Sequence, residues 1–170
     1  MSGAHPGIRI IGIDPGSRAT GYGVIDCRGT RLSLAGCGVI RTRSADFNER
    51  LKEIFEAAGE LLGEYRPNEL AIERVFVRNN ADSALKLGAA RAAVICASFG
   101  HGLPVHEYAP RAVKQALTGR GSADKDQVQH MVRTLLAVTE TLAHDASDAL
   151  AVAICRSHDR SLRDVLEASA

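Results

Sequence analysis

The stretch IRIIGIDPGSRATGYGVID, residues 8–26, decides the fold class. Ile8, Ile10, Ile11 and Ile13 form a short apolar run that stops at Asp14-Pro15-Gly16-Ser17. Proline and glycine end strand pairing and favour tight reversal, so the run predicts a buried strand closed by a turn. Thr20 to Asp26 and Leu32 to Arg41 read as the next two strands, with Arg28-Gly29 in the hairpin turn. Three strands joined by short turns predict an antiparallel meander.

Further along, the period changes. Phe47, Leu51, Ile54, Phe55, Ala58, Leu61 and Leu62 recur at helical spacing, predicting a helix over Asp46 to Tyr65 that Pro67 closes. Its glutamates, Glu49, Glu53, Glu56, Glu60 and Glu64, form a solvated face. Leu70-Ala71-Ile72 is a strand ending at Glu73, and Ala81 to Phe99 is a helix with Asn80 or Asp82 as cap. Val105 to Tyr108 predicts a strand and Pro110 to Leu117 a short helix. Ser122 is expected to cap a helix over Asp124 to Leu136, and a last helix runs from about Asp145 to about His158. A meander followed by α/β alternation predicts a mixed five-stranded sheet with helices on both faces. The chain reads as one domain over residues 1–170, with loose tails at 1–7 and about 160–170.

Composition narrows the class. The chain has 170 residues, 45% hydrophobic and 24% charged, which excludes a disordered polymer. No run approaches the ~18 apolar residues of a membrane span, and the N-terminus shows no signal-peptide core. Cys27, Cys37, Cys96 and Cys155 lie in apolar stretches without a C-x-x-C pair, as expected of reduced thiols in a cytoplasmic protein. The net charge of +1 hides an alternation: residues 46–73 carry −5, 74–137 carry +5, and 138–170 carry −3. A basic block between acidic ones suits a polyanion-binding face beside carboxylate-rich elements.

Four carboxylates are candidates for one site. Asp14 ends the first strand and Glu73 the fourth, so parallel pairing of those strands would bring both to one sheet edge, where open α/β sheets bind ligands. Asp145 and Asp148 are three apart and share a helix face, at the start of a segment otherwise rich in Ala, Leu and Val. Each acid has an ordinary explanation alone, such as a turn, a cap or a surface ion pair. One metal site explains all four. Clustered carboxylates repel, and a hard divalent ion removes that cost; all-oxygen ligands point to Mg²⁺, with Mn²⁺ as substitute. Two such ions suit in-line hydrolysis of a phosphodiester. The glycines at 12, 16, 21 and 23 make no dinucleotide fingerprint; Gly16 is expected to bring the turn's backbone close to metal or phosphate. His130 and His144 read as surface residues.

These residues also carry a resemblance. Ile11 to Arg18 with Thr20-Gly21-Tyr22-Gly23, Ala71-Ile72-Glu73 leading to Val75-Phe76, Asn79 to Gly88, Lys125 to Arg133, and Asp145 to Ala151 together resemble the bacterial RuvC family of Holliday-junction resolvases. The likeness spans roughly residues 8–158. It implies an RNase H-like fold, dependence on Mg²⁺ with two ions per site, and paired symmetric nicks in four-way DNA junctions during recombination and repair. By motif position, Asp14, Glu73, Asp145 and Asp148 would be the catalytic, metal-binding acids. Some relatives carry His where Asp145 stands; this chain keeps the all-carboxylate form. Lys114 and Lys125 would lie near the scissile strand, and Phe76, flanked by Arg74 and Arg78, would stack on unpaired bases. The resemblance also implies work beside the junction-binding and branch-migration proteins RuvA and RuvB.

The helix over 81–99 is apolar on more than one side, which predicts deep burial or a shared interface. A two-fold homodimer through it would supply two sites for a nearly two-fold junction. The alternatives are an RNase H-type hydrolase, which the dimer helix and Phe76 fit less well, and a non-catalytic junction-binding module, which would gain nothing from carboxylates near phosphate. An actin-like phosphotransferase would need two related domains, and 170 residues are expected to hold one.

Overall fold

The computed structural model describes residues 7–76 and 80–168. Strands β1 (Ile8–Asp14), β2 (Ala19–Arg28) and β3 (Arg31–Arg41) form the expected meander. Gly29 turns the β2–β3 hairpin at φ 59°, a conformation that costs glycine nothing. Helix α1 (Phe47–Tyr65), β4 (Glu69–Glu73), α2 (Ala81–Phe99) and β5 (Val105–Tyr108) follow. Three helices complete the chain: α3 (Pro110–Thr118), α4 (Lys125–Leu136) and α5 (His144–Ala168). The sheet order is β3-β2-β1-β4-β5, with β4 parallel to both β1 and β5.

Side-chain alternation divides the core into two layers. Ile10 and Ala71 face α3, α4 and α5, where Val113, Val132, Leu150 and Ile154 are buried. Ile11, Ile13, Leu70 and Ile72 face α1 and α2, against Ile54, Leu62, Ala90 and Val94. The same parity carries Gly12 and Asp14 to the α5 side, and with them Glu73. A Cβ on Gly12 would lie 2.1 Å from the Ala149 carbonyl oxygen, and one on Gly21 1.9 Å from that of Asp145. Helix α5 therefore rests directly on the backbone of β1 and β2, which is why small residues line that face.

Two expectations are corrected. Asp124, not Ser122, caps α4: its Oδ1 accepts from the Gln127 N–H at 2.8 Å, while Gln127 Oε1 accepts from the Asp124 N–H at 3.1 Å. This reciprocal pair satisfies two backbone donors, and Ser122 has no such partner three residues on. Helix α5 continues to Ala168 instead of ending near His158, so residues 160–168 are helix and not a loose tail. Residues 1–6 lie outside the described residues.

A buried ion cluster ties α5 to the start of β4, at the far end from Glu73. Glu69, 7% exposed, accepts from Arg156 Nε at 2.6 Å and from Arg160 Nη1 at 2.8 Å. Burial raises the Glu69 carboxyl, but the Arg156 hydrogen bond and the charges of Arg156, Arg160 and His106 outweigh it and hold it below its ordinary value. A depressed carboxyl stabilises the fold above its unfolded value, about 4.3, and that contribution disappears as pH falls through the folded value. Breaking a buried pair costs about 3–5 kcal/mol, and the lower end applies because Asp159 still meets Arg156 at 3.2 Å. In urea melts, Glu69→Gln is expected to lose about 3 kcal/mol at pH 7. The gap to wild type should close below about pH 4. A gap independent of pH would show that the charge is not what matters.

Candidate active site

In register, β1 Ile13 pairs with β4 Ile72, so Asp14 and Glu73 end adjacent parallel strands side by side. Asp14 also pairs with Gly21 of β2, and Gly21 lies against the first turn of α5 at Asp145. The four acids thus come from three elements that meet at one sheet edge. Burial first, and then the charges of Glu73, Asp148 and Asp145, push the Asp14 carboxyl up to about 7, with Lys125 opposing them. Asp14 thus lies within electrostatic reach of the other three acids.

A cleft of about 550 Å³ opens over this edge. Asp14, Glu73 and Asp148 line it with Arg74, Phe76, Arg111, Lys114 and Lys125. Asp145 is half-buried beside the cleft and does not line it. Lys125 Nζ stands 3.5 Å from Asp148 Oδ2, and most of the Lys125 side chain is exposed. Its place in the first turn of α4 adds exposed backbone N–H groups to the same rim. Phe76 is 55% exposed at the cleft and belongs to no strand. Arg78 lies outside the described residues.

Gly16 sits in the tight turn that follows β1. Its carbonyl accepts from Thr20 Oγ1 at 2.7 Å, and a Cβ there would lie 2.1 Å from the Ala19 carbonyl oxygen. It closes the turn after β1 on itself, and so fixes where β1 stops. His144 is exposed and shares a 2.6 Å contact with Gln129, in keeping with a surface role. One polar residue at the cleft's margin escapes sequence reading altogether: Glu107 of β5, which meets both Arg74 and Arg91. Only the folded sheet brings these together, and no local pattern marks them.

Among the described residues, no three His, Cys, Asp or Glu side chains form a ready-made cage for one ion. A closed cage is not what Mg²⁺ uses: it keeps several waters and takes one or two carboxylates together with substrate phosphate. Hard carboxylate oxygens, one of them strongly disfavoured as a charge without a cation, fit that mode.

The model of the family described as Crossover junction endodeoxyribonuclease RuvC matches residues 10–156. A crossover junction endodeoxyribonuclease RuvC from Methylococcus capsulatus is 60% identical over 152 residues, 89% of this chain and 92% of the relative. The structure of Thermus thermophilus RuvC in complex with Holliday junction substrate superposes with a TM-score of 0.86 at 34% identity, over 92% of this chain and 96% of that one. The yeast mitochondrial Holliday junction resolvase, 12% identical with a TM-score of 0.65 over 96% of this chain and 85% of that one, shares the fold.

Proposed function

The chain belongs to the RuvC family of crossover junction endodeoxyribonucleases, and on that premise we propose how its cleft resolves a four-way DNA junction. It is a Holliday-junction-resolving endonuclease with an RNase H-like fold. The observation that carries the reading is the convergence of Asp14, Glu73 and Asp148 with two lysines and an exposed Phe76 on one cleft.

Asp14, Glu73, Asp145 and Asp148 would hold divalent ions, Mg²⁺ by preference and Mn²⁺ in its place, two per site. When bound, such ions neutralise the carboxylates and supply Lewis-acid activation for phosphodiester hydrolysis. The chain's own residues do the rest. Parallel β1 and β4 fix Asp14 and Glu73 side by side, and the seat of α5 on Gly21 fixes Asp145 and Asp148 over them. Lys114 and Lys125 hold the scissile strand by its phosphates, and the Lys125–Asp148 contact links that grip to the acid cluster. Phe76 offers its ring to bases left unpaired at the crossover. Arg74 extends the basic rim.

Helix α2 supports a two-fold homodimer through residues 81–99. Ala90, Val94 and Ala97 are buried on one side. On the other, Leu85, Ala92, Cys96 and Phe99 recur at helical spacing and are exposed, Leu85 at 75% and Phe99 at 68%. This second apolar stripe explains the overflow of small and apolar residues in the sequence, and a second copy would cover it. The same reading places the chain beside RuvA and RuvB in the handling of junctions. None of the described helices is long and apolar enough to cross a membrane.

The cleft's role is tested by fluorescence anisotropy on a synthetic four-way junction and a linear duplex, in EDTA, across a salt series. Wild type is expected to prefer the junction. Lys114→Ala and Lys125→Ala should each flatten the dependence of log affinity on log salt by about one unit, one phosphate contact each. Equal affinity for both DNAs, with unchanged slopes in both variants, would sink the assignment of this cleft.

A further inference from the structure

An acid stands beside the cleft's basic rim, paired to Arg74. Glu107 stands opposite Ile72 in the β4–β5 register, and its two carboxylate oxygens go to different arginines. Oε1 accepts from Arg91 Nη2 of α2, and Oε2 lies 3.4 Å from Arg74 Nε. Arg74 follows Glu73 directly, and its N–H donates to the Tyr108 carbonyl at 2.8 Å. The segment leaving β4 is thus held twice by β5, once through backbone and once through Glu107. Arg91 is largely covered and its Nε is buried without a partner, so Glu107 is the acceptor its guanidinium has among the described residues. All three charged residues line a second groove, of about 560 Å³, with Phe76 and the first turns of α2.

A carboxylate beside a phosphate-binding rim repels phosphate, so affinity for DNA does not explain Glu107. Nor does stability: exposed ion pairs contribute little, and Glu107 is 40% exposed. Geometry does. We propose that Glu107 is a positioning residue for junction cleavage. It cross-links Arg74 to Arg91, and so fixes the Phe76 segment against α2, the helix that faces the second copy. Through it the subunit interface sets where the base-stacking ring and the Arg74 guanidinium stand relative to the acids. The proposal rests on the reading of the cleft given above.

The test separates binding from cutting. Glu107→Gln is expected to bind the junction in EDTA at least as tightly as wild type, because a negative charge is gone. Its single-turnover cleavage in Mg²⁺ at saturating enzyme should fall about 10-fold, the scale of a sub-ångström misplacement. Its thermal midpoint should match wild type. In an Arg74→Ala background the same change should cost less than about twofold, since its main target is absent. Cleavage by Glu107→Gln within twofold of wild type would overturn the proposal, as would an equal loss in both backgrounds or a loss that tracks the thermal midpoint. Failure of wild type to cut junctions would instead overturn the reading of the cleft.

Discussion

Asp14→Asn is expected to lower junction cleavage by at least about 10²–10³-fold, the scale measured for removing one preorganised electrostatic contact at a reacting centre. Junction affinity in EDTA should hardly move, because Lys114, Lys125 and Phe76 are untouched. The stability change has an unusual sign. Asp14 is half-buried beside three other acids, and both its burial and their charge work against its ionised form. Asn has nearly the same volume and no charge, so without metal the variant should melt no lower than wild type. Cost to stability and gain in function meet at one side chain. Glu73→Gln, Asp145→Asn and Asp148→Asn should lose cleavage in the same way, measured as single-turnover rates on end-labelled junctions. A variant that cuts at nearly the wild-type rate would take its residue out of the site.

Gly21→Ala should be almost as damaging, although it removes no charge and no side chain. The new Cβ would lie 1.9 Å from the Asp145 carbonyl oxygen and 3.1 Å from the Asp145 Cβ. Neither is the free end of a flexible side chain. The first turn of α5 has to lift off β2, and the rest of α5 resists because Ala149 to Cys155 are fully packed. The expected cost is on the order of 3 kcal/mol in urea melts, the upper range for overpacking. Displacing Asp145 and Asp148 from Asp14 should also reduce cleavage at least about 10²-fold, more than unfolding alone explains under conditions where the variant is folded. Gly59→Ala is the control: a Cβ there meets nothing within 4 Å in the middle of α1. It should gain roughly 0.5–1 kcal/mol and leave cleavage unchanged. Wild-type activity in Gly21→Ala would show that the seat of α5 on β2 does not set the site.

Which of these features can be read from the sequence depends on how local their physics is. The apolar run ending at Asp14-Pro15-Gly16 and the one ending at Glu73 are local, so strands and candidate acids emerge together. Their convergence needs β1 and β4 to be parallel neighbours, a topological step that the βαβ order suggests. The second apolar face of α2 is legible for the same reason, as an excess of small and apolar residues beyond one stripe. The α4 cap is legible too: Gln127 lies three residues after Asp124, the spacing a reciprocal cap requires. The length of α5 is not. Residues 161–167 are exposed, Leu162, Val165 and Leu166 among them, and what ties this extension to the fold is Arg160 reaching Glu69 across 91 positions, with Arg163 and Asp159 pairing along the helix. Glu107 is hidden likewise, since its partners lie 33 and 16 residues away and only the sheet gathers them. Glycines 12 and 21 show themselves in sequence as small residues, but the helix they admit is visible only in three dimensions.

The most direct test of the account is cleavage by wild-type protein of an end-labelled four-way DNA junction, in Mg²⁺ and in EDTA, beside a matched linear duplex and an RNA–DNA hybrid. Paired nicks at symmetric positions in opposing strands of the junction, in Mg²⁺ alone and with duplex and hybrid intact, are the predicted result. Binding without nicks in either Mg²⁺ or Mn²⁺, undiminished cutting in EDTA, or cutting of the hybrid in place of the junction would contradict it.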